Sequence, residues 1–230
     1  MRLDRLLALR GPFNRQQARL AIATGRARVA GAVVREAEHE VSEFDTVEAD
    51  GAVIQPGRPA RYYMLHKPTG CASATHDPQH RTVLDLLALP NKQELHLAGR
   101  LDYNTTGLLI LTNDGQWSRR LTQPGSKLPK RYRVYTEAPI LPEYAEVFAR
   151  GLYFAFENLT TQPAQLTLLG SHVAELCLVE GRYHQVKRMF GHFQNRVVGL
   201  HRLSMGPLQL DSRLAPGQYR ALSTEEIALV

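Results

Sequence analysis

The stretch Ala98-Gly99-Arg100-Leu101-Asp102-Tyr103-Asn104-Thr105-Thr106-Gly107-Leu108-Leu109-Ile110-Leu111 decides how this chain is read. Residues 108–111 are apolar without alternation, which suits a strand buried on both faces. Asp102 sits just before that run, in a loop bounded by Gly99 and Gly107. A loop carboxylate beside a buried strand is well placed to face a cleft. Local features leave a second reading open, in which Asp102 accepts backbone hydrogen bonds or pairs with Arg100.

The pattern outward from this stretch is mixed. Asn113-Asp114-Gly115 turns the chain into a helix around 116–121. Strands are expected at 62–65, 131–135 and 175–179. A helix is expected over 183–193, because Val186, Met189, Phe190 and Phe193 fall at i, i+3, i+4 and i+7. The sum is an α+β fold with a largely antiparallel mixed sheet flanked by helices.

A Pro/Gly-rich stretch, Gln55-Pro56-Gly57-Arg58-Pro59, predicts a linker over 55–60 between a small module, 1–54, and a larger one, 61–230. The first module reads as a helix over 2–9 stopped by Gly11-Pro12, and a second helix capped by Asn14 and ended by Gly25. Short strands are expected near 28–30 and 46–49, with a turn at Gly31. Arg15 and Arg19 stand four apart and so project from one side of the second helix.

The 230 residues are 43% hydrophobic and 22% charged, with a net charge of +6. Charge is segregated: residues 1–35 hold eight arginines and one acid, whereas 36–50 hold seven acids and no Lys or Arg. A basic face of this kind suits a polyanion, since cations displace counterions from phosphates. No apolar run is long enough to span a membrane, and the first residues lack a secretory pattern. Cys71 and Cys177 have no metal-type spacing and are read as reduced thiols of a cytoplasmic protein. The histidines are scattered and none forms a His-x-x-x-His pair on a helix, so no metal is expected. Phosphate-cradling glycine loops and a Gly-x-Ser-x-Gly elbow are absent from the sequence.

Two further stretches are candidates for RNA contact. In Glu180-Gly181-Arg182-Tyr183-His184-Gln185-Val186-Lys187-Arg188-Met189, polar rows flank the apolar stripe, and 181–205 hold five Lys or Arg and no acid. This is either a solvated helix face or an RNA-facing helix. In Lys130-Arg131-Tyr132-Arg133, a tyrosine among cations could stack on a base, or the segment is an edge strand guarded by charge.

Together these segments resemble the RsuA-type pseudouridine synthases. The likeness rests on residues 98–109, Tyr63-Met64-Leu65-His66-Lys67-Pro68, Lys130-Arg131-Tyr132-Arg133-Val134, 180–189 and Leu214-Ala215-Pro216-Gly217-Gln218-Tyr219-Arg220. The first module is similar to the S4-like (alpha-L) RNA-binding domain. His66 stands where that family more usually has asparagine. The resemblance implies an enzyme that isomerises a uridine of ribosomal RNA to pseudouridine, in the cytoplasm of a bacterium and as a monomer. Gln116-Trp117-Ser118 and Thr105-Thr106 favour small-subunit (16S) RNA; the alternatives are large-subunit (23S) RNA or a non-catalytic ribosome-assembly factor. It also implies that Asp102 is the catalytic aspartate, Tyr132 stacks on the target base and Lys187 pairs with the aspartate. RNA contacts are expected from Arg5, Arg15, Arg19, Lys67, Arg100, Lys130, Arg182, His184, Gln185 and Arg188. The reaction moves no electrons to or from the substrate and adds no outside atom, so no cofactor is expected.

Overall fold

The computed structural model describes residues 1–230, the side chain of Pro124 excepted. The chain divides into two compact units, Met1–Ala60 and Arg61–Val230.

In the first unit, α1 (Leu3–Arg10) buries Leu3, Leu6 and Leu7, the i, i+3, i+4 stripe of one helix face. Helix α2 (Arg15–Ala23) begins with a capping box: the Gln17 amide donates to Asn14 Oδ1, and the Asn14 amide donates to Gln17 Oε1, both at 2.9 Å. Four strands follow: β1 (Ala27–Val29), β2 (Ala32–Val34), β3 (Val47–Ala49) and β4 (Ala52–Gln55). They form an antiparallel sheet in the order β2-β1-β3-β4. Ala27, Val29, Val47 and Ala49 meet the helices in one apolar core. Ala30 and Gly31 both have positive φ, 49° and 81°, and make the tight β1–β2 turn.

Two expectations shift here. Strand β2 is short and barely buried, so it left no alternating signal. Gln55, expected in the linker, ends β4 and is buried: it accepts from Arg10 Nη1 at 2.6 Å and donates to the carbonyls of Ser42 and Asp45.

The second unit carries β5 (Tyr62–Lys67), β6 (His96–Ala98), β7 (Thr106–Thr112), α3 (Gly115–Thr122), β8 (Lys130–Thr136) and α4 (Glu143–Arg150). A small hairpin of β9 (Tyr153–Phe154) and β10 (Leu159–Thr160) follows. Next come β11 (Gln165–Gly170), β12 (Val173–Leu178), α5 (Gln185–Gly191), β13 (Val197–Met205), β14 (Leu208–Gln209), β15 (Tyr219–Ala221) and α6 (Thr224–Ala228). Among the described residues, the main sheet runs β11-β12-β8-β13-β7-β5-β15, with β14 on β13 and β6 on β7. Its pairs are antiparallel except β13 with β7.

Strand β7 is buried on both faces. Leu108 and Ile110 pack with Trp117 and Leu121 of α3, while Leu109 and Leu111 pack with Val83, Leu84 and Leu95. Asp114 caps α3, accepting from the Gln116 and Trp117 amides at 3.0 Å. Its other oxygen accepts from the Tyr62 hydroxyl at 2.8 Å. Burial, reinforced by this carboxylate, pushes the Tyr62 phenol up to about 12. Helix α5 packs Val186, Met189 and Phe190 against α4 and the β8–β12 half of the sheet. It begins at Gln185 rather than 183, because His184 takes a left-handed φ of 50° and breaks the helix there.

Candidate active site

Strands β6 and β7 pair antiparallel, so residues 99–105 must turn back between them. That return is fastened on every side. The Leu101 amide donates to Ser73 Oγ at 3.1 Å, and Ser73 Oγ donates back to the Leu101 carbonyl at 2.7 Å. The Thr105 amide donates to the Asp102 carbonyl at 3.0 Å. Lys67 Nζ donates to the carbonyls of Pro68, Tyr103 and Thr105 at 2.9–3.1 Å. Arg202 reaches the two stems: Nε donates to the Leu108 carbonyl at 2.8 Å and Nη1 to the Arg100 carbonyl at 3.4 Å. A loop whose carbonyls are held by two buried cations has little freedom, and Asp102 projects from it in one orientation.

Asp102 lies in the wall of a cavity of about 820 Å³, a size that holds a nucleoside-sized ligand. Its Oδ2 is 3.0 Å from Lys187 Nζ and 3.6 Å from His184 Nε2. The three side chains are about one-third exposed, at 29%, 36% and 37%. Two local causes set the pairing. Met189 and Phe190 turn into the core and leave Lys187 on the cavity side of α5, while His184 meets Asp102 from its left-handed position just ahead of the helix.

Tyr132 lines the same cavity from β8. It stands opposite Arg202 on β13 and Leu176 on β12. Directly opposed residues share a sheet face, so Tyr132 and Arg202 point the same way. Lys130 also lines the cavity, half-buried; burial and then Arg202 pull its pKa down, and Glu180 opposes them. Arg100 is exposed at the cavity wall.

The other residues expected to contact RNA divide into two groups. Arg5 and Arg15 are exposed on the first unit, and Arg19 is exposed there while donating to Asp4 Oδ2 at 3.2 Å. Three expectations are corrected. Lys67 is fully buried on its three carbonyls, out of reach of any RNA backbone. Burial pulls its pKa down to about 8, against the pull of Cys71 and Asp102. Gln185 is 3% exposed; it accepts from the Arg182 amide and donates to Glu180 Oε1. Arg188 is clamped by both Glu157 oxygens and lies over the Phe154 ring, 3.7 Å from its centroid. Arg182 is about one-third exposed and donates to Glu180 Oε2 at 2.9 Å.

Two residues of the site went unnoticed in the sequence. Arg202 is 3% exposed and its Nη2 has no hydrogen-bond partner among the described residues. A period-two reading of 197–205 could have found it, since Leu200, Arg202 and Ser204 share the buried face. Tyr183 stacks on His184 at the cavity wall, and no local pattern announces that. Among the described residues, no group of three or more His, Cys, Asp or Glu side chains is assembled that could hold a metal ion. No helix among the described residues is long and apolar enough to cross a membrane.

Comparison with known proteins places this geometry in context. A family model described as RNA pseudouridylate synthase matches residues 61–192. A Pseudomonas aeruginosa protein named ribosomal small subunit pseudouridine synthase A is 59% identical over 230 residues, covering 100% of both chains. An Escherichia coli K12 protein of the same name is 44% identical, again over 100% of both chains. A solved structure titled as a crystal structure of pseudouridylate synthase aligns with a TM-score of 0.73 at 38% identity, covering 100% of each chain.

Proposed function

Since this chain belongs to the RNA pseudouridylate synthase family, we propose that it converts one uridine of small-subunit (16S) ribosomal RNA to pseudouridine, with Asp102 as the catalytic carboxylate. The observation that carries this reading is the Asp102–Lys187 pair, 3.0 Å apart, in the wall of a nucleoside-sized cavity.

The chemistry follows from the product. The C1′–N1 bond breaks, the uracil turns within the cavity, and C1′ bonds to C5. The C5 proton is lost and N1 regains one, so the product is an isomer. A stacked uridine cannot reach Asp102, so the nucleotide is first extruded into the cavity. Tyr132 replaces part of the lost stacking, a contribution of about 1–3 kcal/mol per base. Lys187, paired with the carboxylate, holds it in one direction, which is where positioning gains arise. Asp102 then attacks C1′ as a nucleophile, or removes the C2′ proton and passes through a glycal.

Within this reading the first unit is a small RNA-binding module of S4-like type, and Arg5, Arg15 and Arg19 contact the RNA backbone from it. Arg100, Lys130, Arg182 and His184 do so around the cavity. The enzyme acts as a cytoplasmic monomer without cofactor or metal.

Purified chain incubated with small- and large-subunit RNA, followed by chemical mapping of pseudouridine, tests the proposal. One new pseudouridine is expected in the small-subunit RNA. Asp102→Asn is expected to abolish it while RNA binding stays within about twofold of wild type. Modification of large-subunit RNA alone would move the target, and an active Asp102→Asn variant would remove the carboxylate from the mechanism.

A further inference from the structure

Tyr183 is 76% exposed, an unusual place for a large ring. One face of that ring lies on His184, with centroids 3.9 Å apart and planes inclined by 18°. Neighbouring side chains diverge in a strand and in a helix. The left-handed backbone of His184, φ 50° and ψ 31°, brings this pair together. For a residue other than glycine that conformation is unfavourable by about 1–2 kcal/mol. The pair is therefore held by its surroundings, with Glu180 gathering Arg182, Gln185 and the Gln162 amide just ahead of α5.

Both rings line the cavity that contains Asp102, and His184 Nε2 is 3.6 Å from its carboxylate. The inner face of Tyr183 is covered by His184, and its exposure places the other face at the cavity rim. Extruding a uridine leaves the adjoining bases unstacked on one side, and an exposed aromatic face is the surface that accepts such a base whatever its sequence. We propose that Tyr183 is a nucleobase platform for a nucleotide adjoining the target uridine, distinct from Tyr132 inside the cavity. The proposal rests on the RNA-modifying function above and adds a second base-binding position to it. Through His184, the seated base is coupled to the side chain that contacts Asp102.

The test is a cycle of equilibrium binding and single-turnover rates, using a synthetic RNA hairpin that carries the uridine the wild type modifies. Hairpins with one abasic nucleotide immediately 5′ or 3′ of that uridine complete the set. Tyr183→Ala is expected to weaken binding about 5- to 160-fold, the range for loss of one base–aromatic stack, and Tyr183→Phe and Tyr183→Trp to restore it. An abasic nucleotide at one of the two positions is expected to weaken wild type by the same factor and Tyr183→Ala no further. Wild-type binding by Tyr183→Ala, or undiminished abasic losses at both positions in that variant, would overturn the platform. Wild type modifying no uridine at all would instead defeat the functional reading, so the two failures are distinct.

Discussion

The backbone of Arg202 runs so close to Gly107 that a Cβ at 107 would clash with the Arg202 carbonyl oxygen and amide nitrogen. Gly107 also has a φ of 108°, outside the region that other residues readily adopt. The approach occurs where β13 and β7 make their parallel pairing, Arg202 with Gly107. Gly107→Ala must therefore push these strands apart or strain its own backbone. It is expected to destabilise the fold by about 2–3 kcal/mol, read from urea unfolding. An unchanged unfolding midpoint would show that the approach is relaxed at little expense.

Arg202 itself fastens both stems of the Asp102 loop, through Arg100 and Leu108. Arg202→Met keeps the bulk and removes the donors. We expect kcat to fall about 10- to 100-fold, the scale of a displaced catalytic group, with KM for RNA within about twofold. Arg202→Lys, which retains charge and a donor, should recover part of kcat. A rise in KM alone would mean that Arg202 binds substrate rather than positioning the loop.

Lys67 makes stability depend on pH. Its folded pKa, about 8, lies below the ordinary 10.5 because burial disfavours the charge. Between those values the unfolded chain holds a proton that the folded chain has released, so this group's contribution to stability rises with pH. Below pH 8 both states are protonated, and the full penalty of the buried ammonium is present, on the order of 3 kcal/mol. Relative to Lys67→Met, wild type should gain stability from about pH 8 to about pH 10. Parallel stability profiles for the two proteins over that range would contradict the shifted pKa.

The β1–β2 turn offers a change in the stabilising direction. Ala30 is exposed with φ 49°, followed by Gly31 at 81°. Tight turns with both central residues at positive φ favour Asn-Gly. Ala30→Asn is expected to raise stability by about 0.5–1 kcal/mol, measured as an upward shift in Tm. No shift would mean that neighbouring contacts already relieve the strain at Ala30.

Much of the fold was legible because its signals are local. The apolar run 108–111 belongs to a strand covered on both faces, and Asn14 and Asp114 cap helices as their positions imply. The α5 stripe of Val186, Met189 and Phe190 is buried as its spacing requires. Other features were illegible because their causes are distant in the chain. Lys67 reads as an exposed cation until Tyr103 and Thr105 supply its carbonyls. Arg188 reads as an RNA contact until Glu157 closes on it.

From residue order alone came the α+β class, through periodicity and capping, and the resemblance to the RsuA-type pseudouridine synthases, through motif order, which in turn implied Asp102; all of these are properties of neighbouring residues. Tertiary structure alone decided which cations face the cavity and which are spent on backbone carbonyls or carboxylates. It also set Tyr183 flat on His184 beside Asp102. Burial and pairing depend on what the rest of the chain brings alongside a residue, and that is fixed only when the strands have found their partners.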